Sequence, residues 1–249
     1  MSEHIDINRD GATVRVGFAR PEKKNALTIE MYEAVADAFD RYGQDDDLRC
    51  LIMHGTDDTY TAGNDLMGFM QAQMMPQDEE PASLRLMKAA EACEKPVVAA
   101  VEGWCVGIGA TLLLHTDIVV MGRSAKLKMP FTELGIVPEA GASILVTRRY
   151  GRQVAGELLL ASSVMGAERA HQLGMANEVT PDGEALAVAL RYAEQLCRMS
   201  PTSVRMTKRL MREAQGLVPH MEEEMRQVGE RARSDEMRER VGRMMSGRG

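Results

Sequence analysis

The run KPVVAAVEGWCVGIGATLLLHTDI, residues 95–118, changes its period twice within a short span. PVVAAVE is an apolar stretch of strand length, as a buried strand requires. GWCVG turns the chain, and GIGATLLLHTD has the length and apolar content of a buried helix. IVVM, residues 118–121, then resumes as another short strand. Outward from this run the same alternation continues. ATVRVGFAR, residues 12–20, alternates apolar and polar side chains like a half-buried strand, and RCLIMHG, residues 49–55, is a second buried strand. Between them Thr28 opens a helical pattern in which Met31, Val35 and Phe39 recur, predicting a helix to about Tyr42. Strands alternating with helices imply crossover units and an α/β fold rather than an all-β meander. From Arg152 onward the pattern is nearly all helical, which suggests a core over residues 1–195 and a C-terminal helical region over 196–249. The acidic, proline-punctuated stretch QAQMMPQDEEPAS, residues 71–83, reads as a mobile loop.

Composition narrows the function classes. The 249 residues are 45% hydrophobic, enough for a sizeable core, and the formal net charge of -7 argues against a nucleic-acid partner, which calls for clustered Lys and Arg. Cys50, Cys93, Cys105 and Cys197 are scattered, with neither metal-ligand nor disulfide-framework spacing. The most apolar region, residues 96–114, is broken by Glu102 and by glycines, which is wrong for a membrane span, and the polar N-terminus lacks the features of a signal peptide. A cytoplasmic protein with no membrane partner is the expectation. His115 and Asp117 sit two apart without a third ligand, so no metal is expected.

Three turns follow strands: KKNAL, TAGNDL and GWCVGIGATL. Each alone is readable as a tight strand-to-helix connection. Together, glycines that permit close backbone approach and helix starts that offer unpaired N–H groups could hold an anionic oxygen. The Gly107-Ile108-Gly109 run is not a dinucleotide fingerprint, because position 112 is Leu where a third glycine is needed. LGIVPEAGAS, residues 134–143, sets one carboxylate, Glu139, in an apolar, glycine-flanked turn. A buried acid is costly unless paired or used, although a first-turn acid beside the helix starting near Ala140 is the simpler placement for this stretch alone.

Taken together, RPEKKNAL (20–27), YTAGNDL (60–66), residues 95–118, PFTELGIVPEAGAS (130–143) and SPTSVRMTKRLM (200–211) resemble, in order and spacing, the crotonase (enoyl-CoA hydratase/isomerase) family. The resemblance covers nearly the whole chain. It implies a spiral of strand-strand-helix repeats with a C-terminal helical region that packs in a homotrimer or dimer of trimers. It implies an acyl-CoA substrate and no separate cofactor, coenzyme A being part of the substrate. Coenzyme A would lie along Lys23, Lys24, Asn25, Ala26, Ala62, Asp65 and Leu66. The oxyanion hole would be the backbone N–H groups of Asn64 and Ile108, and Met67, Met70, Phe131 and Leu134, with Met74 and Met75, would shape the acyl pocket. Lys208 would approach the coenzyme A phosphate of a neighbouring site.

The family's hydratases carry two glutamates at positions that correspond here to Thr111 and Phe131, and neither side chain can activate water or protonate carbon. GND, VGI and LGxxPE instead resemble the peroxisomal-type Δ3,Δ2-enoyl-CoA isomerases, in which the glutamate after proline is the base. Glu139 takes that place, with Glu133 as the runner-up acid. Apolar neighbours would raise its pKa by desolvation. A hydratase working through one glutamate and a noncatalytic acyl-CoA-binding protein are the rival readings, and the family also includes dehalogenases, C–C hydrolases and decarboxylases. Glu102, where the family often has Asn, has no explanation in the sequence, and the C-terminal run 221–240 reads as solvated helix with i,i+4 charge pairs.

Overall fold

The computed structural model describes residues 2–56, 58–72, 80–211 and 217–246. Its strands are β1 (Ile5–Asp10), β2 (Thr13–Phe18), β3 (Cys50–His54), β4 (Thr59–Thr61), β5 (Val97–Val101), β6 (Trp104–Val106), β7 (Ile118–Gly122), β8 (Lys126–Lys128), β9 (Met165–Gly166) and β10 (Glu178–Thr180). Its helices are α1 (Ile29–Gln44), α2 (Leu66–Ala72), α3 (Ala82–Ala92), α4 (Ile108–Leu112, prolonged by a 3-10 turn at Leu113–His115), α5 (Ala142–Ala155), α6 (Ala167–Gln172), α7 (Ala185–Arg198), α8 (Pro201–Met211), α9 (Leu217–Ala232) and α10 (Asp235–Met245).

Two sheets organise the chain. The larger runs in the order β1-β2-β3-β5-β7-β10, antiparallel only between β1 and β2, and the smaller runs β4-β6-β8-β9, antiparallel only between β8 and β9. The pairs β3–β4, β5–β6 and β7–β8 each give one strand to the large sheet and the next to the small one before a helix follows. This is the spiral of strand-strand-helix turns that the resemblance implies. The register sets Ile52 beside Val98 and Val98 beside Ile118. Both faces of the central strands are covered, so their sequences read as unbroken apolar runs. Cys50, Ile52, Val98, Ala100 and Val120 pack under Val188, Ala189 and Ala193 of α7, while the alternate residues Leu51, Met53, Val97, Ala99 and Val101 face the main core.

Helix α1 forms where the sequence says it should. Thr28 keeps an extended backbone and its Oγ1 accepts the N–H of Met31 at 3.3 Å, a cap worth about 1 kcal/mol. Met31, Val35, Phe39 and Tyr42 are buried along one stripe. The buried Lys95 donates through Nζ to the carbonyls of Tyr42 and Asp45, holding the last turn.

Several elements differ from the expectation. The polar start of the chain is an edge strand, β1, with only Ile5 buried, and β4, β6, β9 and β10 are two or three residues long, too short to carry a period of their own. The expected division at residue 195 falls inside α7, which packs on the large sheet. Most of the expected loop at residues 71–83 lies outside the described residues, and its last part begins α3. The run 221–240 is not merely solvated: Met221, Glu224, Met225, Val228 and Ala232 are buried along one face of α9, while the ion pairs of Arg226 with Glu223 and Glu230 occupy its wet side. Among the described residues, no helix is long and apolar enough to cross a membrane.

Glu102 acquires a role. Its Oε1 accepts the N–H groups of Gly183 and Ala185, each at 3.0 Å, so the carboxylate sits on the N-terminus of α7. A Cβ on Gly122 would stand 1.9 Å from the other oxygen, Oε2, so the glycine leaves room for the carboxylate. Glu102→Ala is expected to lower unfolding stability by about 1–2 kcal/mol. Gly43→Ala, in α1 with nothing within 4 Å of the added Cβ, is expected to raise it by about 0.5–1 kcal/mol. Chemical denaturation of the two variants checks both signs.

Candidate active site

The spiral brings its strand ends together. Leu27 and Asn64 face each other in a parallel bridge in which Leu27 N–H donates to the Gly63 carbonyl and Asp65 N–H donates to the Leu27 carbonyl. That pattern turns the N–H of Asn64 itself away from Leu27. Gly63, at φ 91°, lets the turn approach the next repeat, because a Cβ there would lie 2.9 Å from the Val106 carbonyl oxygen. Gly107, at φ 55°, then opens α4, so Ile108 is its first residue and its N–H has no acceptor within the helix. The two backbone donors expected from the sequence therefore belong to turns in direct contact.

A cleft of about 660 Å³ opens beside the Asn64 turn, walled by α1, that turn, α2, the start of α3 and α9; Ile108, which has no exposed surface, is not among the residues that line it. Glu139 and Tyr32 also line it, both only 4% exposed. Glu139 Oε1 accepts a hydrogen bond from Thr111 Oγ1 at 3.2 Å, and the same hydroxyl lies 3.3 Å from the Ile108 carbonyl. The acid is thus tied to the first turn of α4, beside the Ile108 donor. Burial pushes the Glu139 pKa up to about 8; the Thr111 bond pulls against this and the charge of Glu224 adds to it. Tyr32 donates through its hydroxyl to Asn64 Oδ1. Burial first, and the nearby Glu139 charge second, raise the Tyr32 pKa well above its ordinary value, keeping it a neutral donor.

The expected first-turn role of Glu139 falls to another residue. Helix α5 begins at Ala142, and the carboxylate on its N-terminus is Glu224 of α9, which accepts from Gly141 N–H at 2.6 Å and from Ser143 Oγ at 2.6 Å. Sequence reasoning missed Glu224 and Tyr32. For Glu224 the available signal was a glutamate on the apolar face of α9. Glu133, the runner-up acid, is ion-paired with Lys128 at 2.6 Å and does not line the cleft.

The remaining expected site residues are placed as follows. Lys23 and Lys24 are exposed, and Ala26 and Ala62 are half-buried. Asn25 is fully buried: its side chain accepts from Arg20 N–H and donates to the Thr59 carbonyl at 2.8 Å, its backbone N–H donates to the Arg20 carbonyl at 2.9 Å and its carbonyl accepts from Thr61 Oγ1 at 2.6 Å, so it holds the turn together and offers a ligand no surface. Asp65 pairs with Arg20 at 2.8 Å and caps α2, which Leu66 begins, through the N–H groups of Met67 and Gly68; these bonds, that to Arg20 foremost, hold its carboxyl below the usual range. Met67 is exposed, Met70 and Leu134 pack against the core and Phe131 is buried in it; none of the four lines the cleft, whose apolar wall comes from residues such as Leu27, Phe69, Leu84 and Met225. Met74 and Met75 lie outside the described residues. Lys208 Nζ is engaged within its own chain, by Asp117 Oδ2 at 2.7 Å and the Lys95 carbonyl at 2.8 Å.

Comparison with known proteins bears on the fold and the family. Residues 8–242 fit the family model described as Enoyl-CoA hydratase/isomerase. The chain is 32% identical over 215 residues to an enoyl-CoA hydratase of Mycobacterium tuberculosis, covering 84% of this chain and 80% of the relative. It is 31% identical over 220 residues to the 1,2-epoxyphenylacetyl-CoA isomerase of Escherichia coli, covering 86% and 84%. The crystal structure of an enoyl-CoA hydratase/isomerase from Pseudoalteromonas atlantica superposes with a TM-score of 0.93 at 34% identity, over 99% of this chain and 98% of that one. With its two-sheet spiral of strand-strand-helix turns, the chain belongs to the enoyl-CoA hydratase/isomerase family.

Proposed function

We propose that the protein is a Δ3,Δ2-enoyl-CoA isomerase in which Glu139 is the only acid–base group. The observation that carries the reading is that, among the described residues, Glu139 is the one buried carboxylate lining the cleft, with Thr111 and the core residue Phe131 where the resemblance implies that a hydratase would carry its two acids. The thioester oxygen of a 3-enoyl-CoA accepts hydrogen bonds from the N–H groups of Asn64 and Ile108. Ionised Glu139 removes a proton from C2, and the electron pair delocalises over a dienolate whose oxygen those donors stabilise. The same carboxyl group then gives its proton to C4, leaving the double bond between C2 and C3. Nothing is added or lost, so neither water nor a second acid is needed. The coenzyme A moiety would run along the backbone from Lys23 to Ala26 and past Ala62, and the acyl chain between α1, α2 and α9.

A base must be ionised to act. With a pKa of about 8, about one Glu139 in ten is ionised at pH 7, and each ionised base is stronger for its desolvation. kcat/KM for trans-3-enoyl-CoA, followed by formation of the conjugated 2-enoyl thioester, is expected to rise with pH to a plateau above about 8. Glu139→Gln is expected to lose at least ~100-fold in kcat. Full activity in that variant would remove Glu139 from the mechanism. An absence of conversion by the native protein would replace isomerisation with another reaction of the same enolate.

The same acid makes stability pH-dependent. From about pH 4.5 to about 8 the native chain keeps a proton that the unfolded chain releases, so stability falls as pH rises through that window. At pH 8 Glu139→Gln is expected to be more stable than the native protein by ~2–4 kcal/mol, with the difference vanishing near pH 4. Denaturant titrations at the two pH values check it. Gly63→Ala, which forces the Asn64 turn away from Val106, is expected to lower kcat by ~100-fold, the effect of losing one oxyanion donor. Turnover measured at saturating substrate checks it.

A further inference from the structure

The peptide unit that joins Ala140 to Gly141 is gripped at both ends. Its carbonyl oxygen accepts from His115 Nε2 at 2.9 Å, and its N–H donates to Glu224 Oε2 at 2.6 Å. A carbonyl can only accept, so Nε2 carries the proton. The ring is fixed in turn by Nδ1, 2.9 Å from Glu91 Oε2 on α3. Glu224 is fixed by a second contact, Ser143 Oγ at 2.6 Å, and α9 is tied down next to it by the Lys88–Glu222 pair at 2.6 Å. His115 and Glu224, 7% and 6% exposed, are buried together with the peptide they hold.

What is gripped is strained. Ala140 has φ 57° and no exposed surface, and Gly141 follows at φ 71°. A side chain in the left-handed region costs about 1–2 kcal/mol, and such a residue persists only where its surroundings over-determine it. The residue immediately before this peptide unit is Glu139. The two bonds therefore set the direction in which the base leaves the backbone.

The geometry points to His115 and Glu224 as positioning residues that hold the Ala140–Gly141 peptide from opposite sides and so aim Glu139, making docking of α9 a condition for a competent base. This rests on the reading of Glu139 as the base. Neither His115 nor Glu224 lines the cleft. The groups facing the Glu139 carboxyl are Thr111 from α4, Tyr32 from α1 and Glu224 from α9, with the His115–Glu91 pair behind the turn. Removing the Glu224 charge and loosening the turn to water act in one direction, both making ionisation of Glu139 easier.

The test uses the full-length chain carrying 13C at the glutamate side-chain carboxyl carbon, with the Glu139 resonance assigned by its loss in Glu139→Gln. Native protein, Glu224→Ala and Glu224→Gln are titrated by NMR and assayed with trans-3-enoyl-CoA. In Glu224→Ala the Glu139 midpoint is expected to fall by ~0.5 pH unit or more, and kcat by about tenfold or more with KM within about threefold. Glu224→Gln, which keeps an acceptor for Gly141 but loses the charge, is expected to show the lower midpoint with part of kcat restored, and it serves if the alanine variant does not fold. A Glu139 midpoint and kcat unchanged in both variants, with only the denaturation midpoint lowered, would reduce Glu224 to a helix cap and overturn the proposal. If the native protein turns over no 3-enoyl thioester, the isomerase reading fails alone, and the Glu139 titration still decides the clamp.

Discussion

The close approach of two backbones, Gly63 against the carbonyl of Val106, is the contact on which the rest of the site depends. It exists because successive repeats of the spiral lie in parallel register, so the strand ends of β4 and β6 arrive side by side and the turns that follow them must share one space. A side chain at position 63 would fill that space. With it empty, the turn leading to Asn64 and the first turn of α4 meet, and the chemistry can be carried by backbone groups whose direction the fold itself dictates. The polar side chains around this contact stabilise it and point elsewhere: Asn25 bonds into the β4 strand, and Asp65 into Arg20 and α2.

Against this rigid pair the acid is an expensive addition. Glu139 is buried, has one neutral hydroxyl for a partner and sits next to a residue in the left-handed region. Natural proteins keep such arrangements where they are used. Here the cost is distributed over elements far apart in sequence: α3 supplies Glu91, the turn after α4 supplies His115, and α9 supplies Glu224. An apolar core alone would not hold this turn in its conformation. Directed hydrogen bonds do, because they fix a peptide plane and not merely a volume.

How much of this was legible depends on the range of the interaction. The long elements were readable because their signals are local: the stripe of Met31, Val35 and Phe39, the cap at Thr28, and the apolar runs at 49–55 and 96–102. The short strands β4, β6, β9 and β10 were not, since two or three residues carry no period and owe their conformation to partners supplied by the sheet. At the site, Asn64, Ile108 and Glu139 could be singled out because they stand in motifs. Glu224 offered only the signal of a glutamate on an apolar helix face, because the donors it satisfies lie more than 80 residues away, and Glu102 was opaque for the same reason of distance. Tyr32 was read as part of an ordinary amphipathic helix. Only the fold shows that this turn of α1 looks into the cleft.

One feature of the C-terminal region changes how the site is assembled. Helix α9, which forms one wall of the cleft, comes from the same chain as the opposite wall and the acid between them. A wall supplied by tether is present at an effective concentration of the order of millimolar or above, whatever the dilution of the protein. Among the described residues, both walls of the cleft and the acid thus come together within one covalent chain.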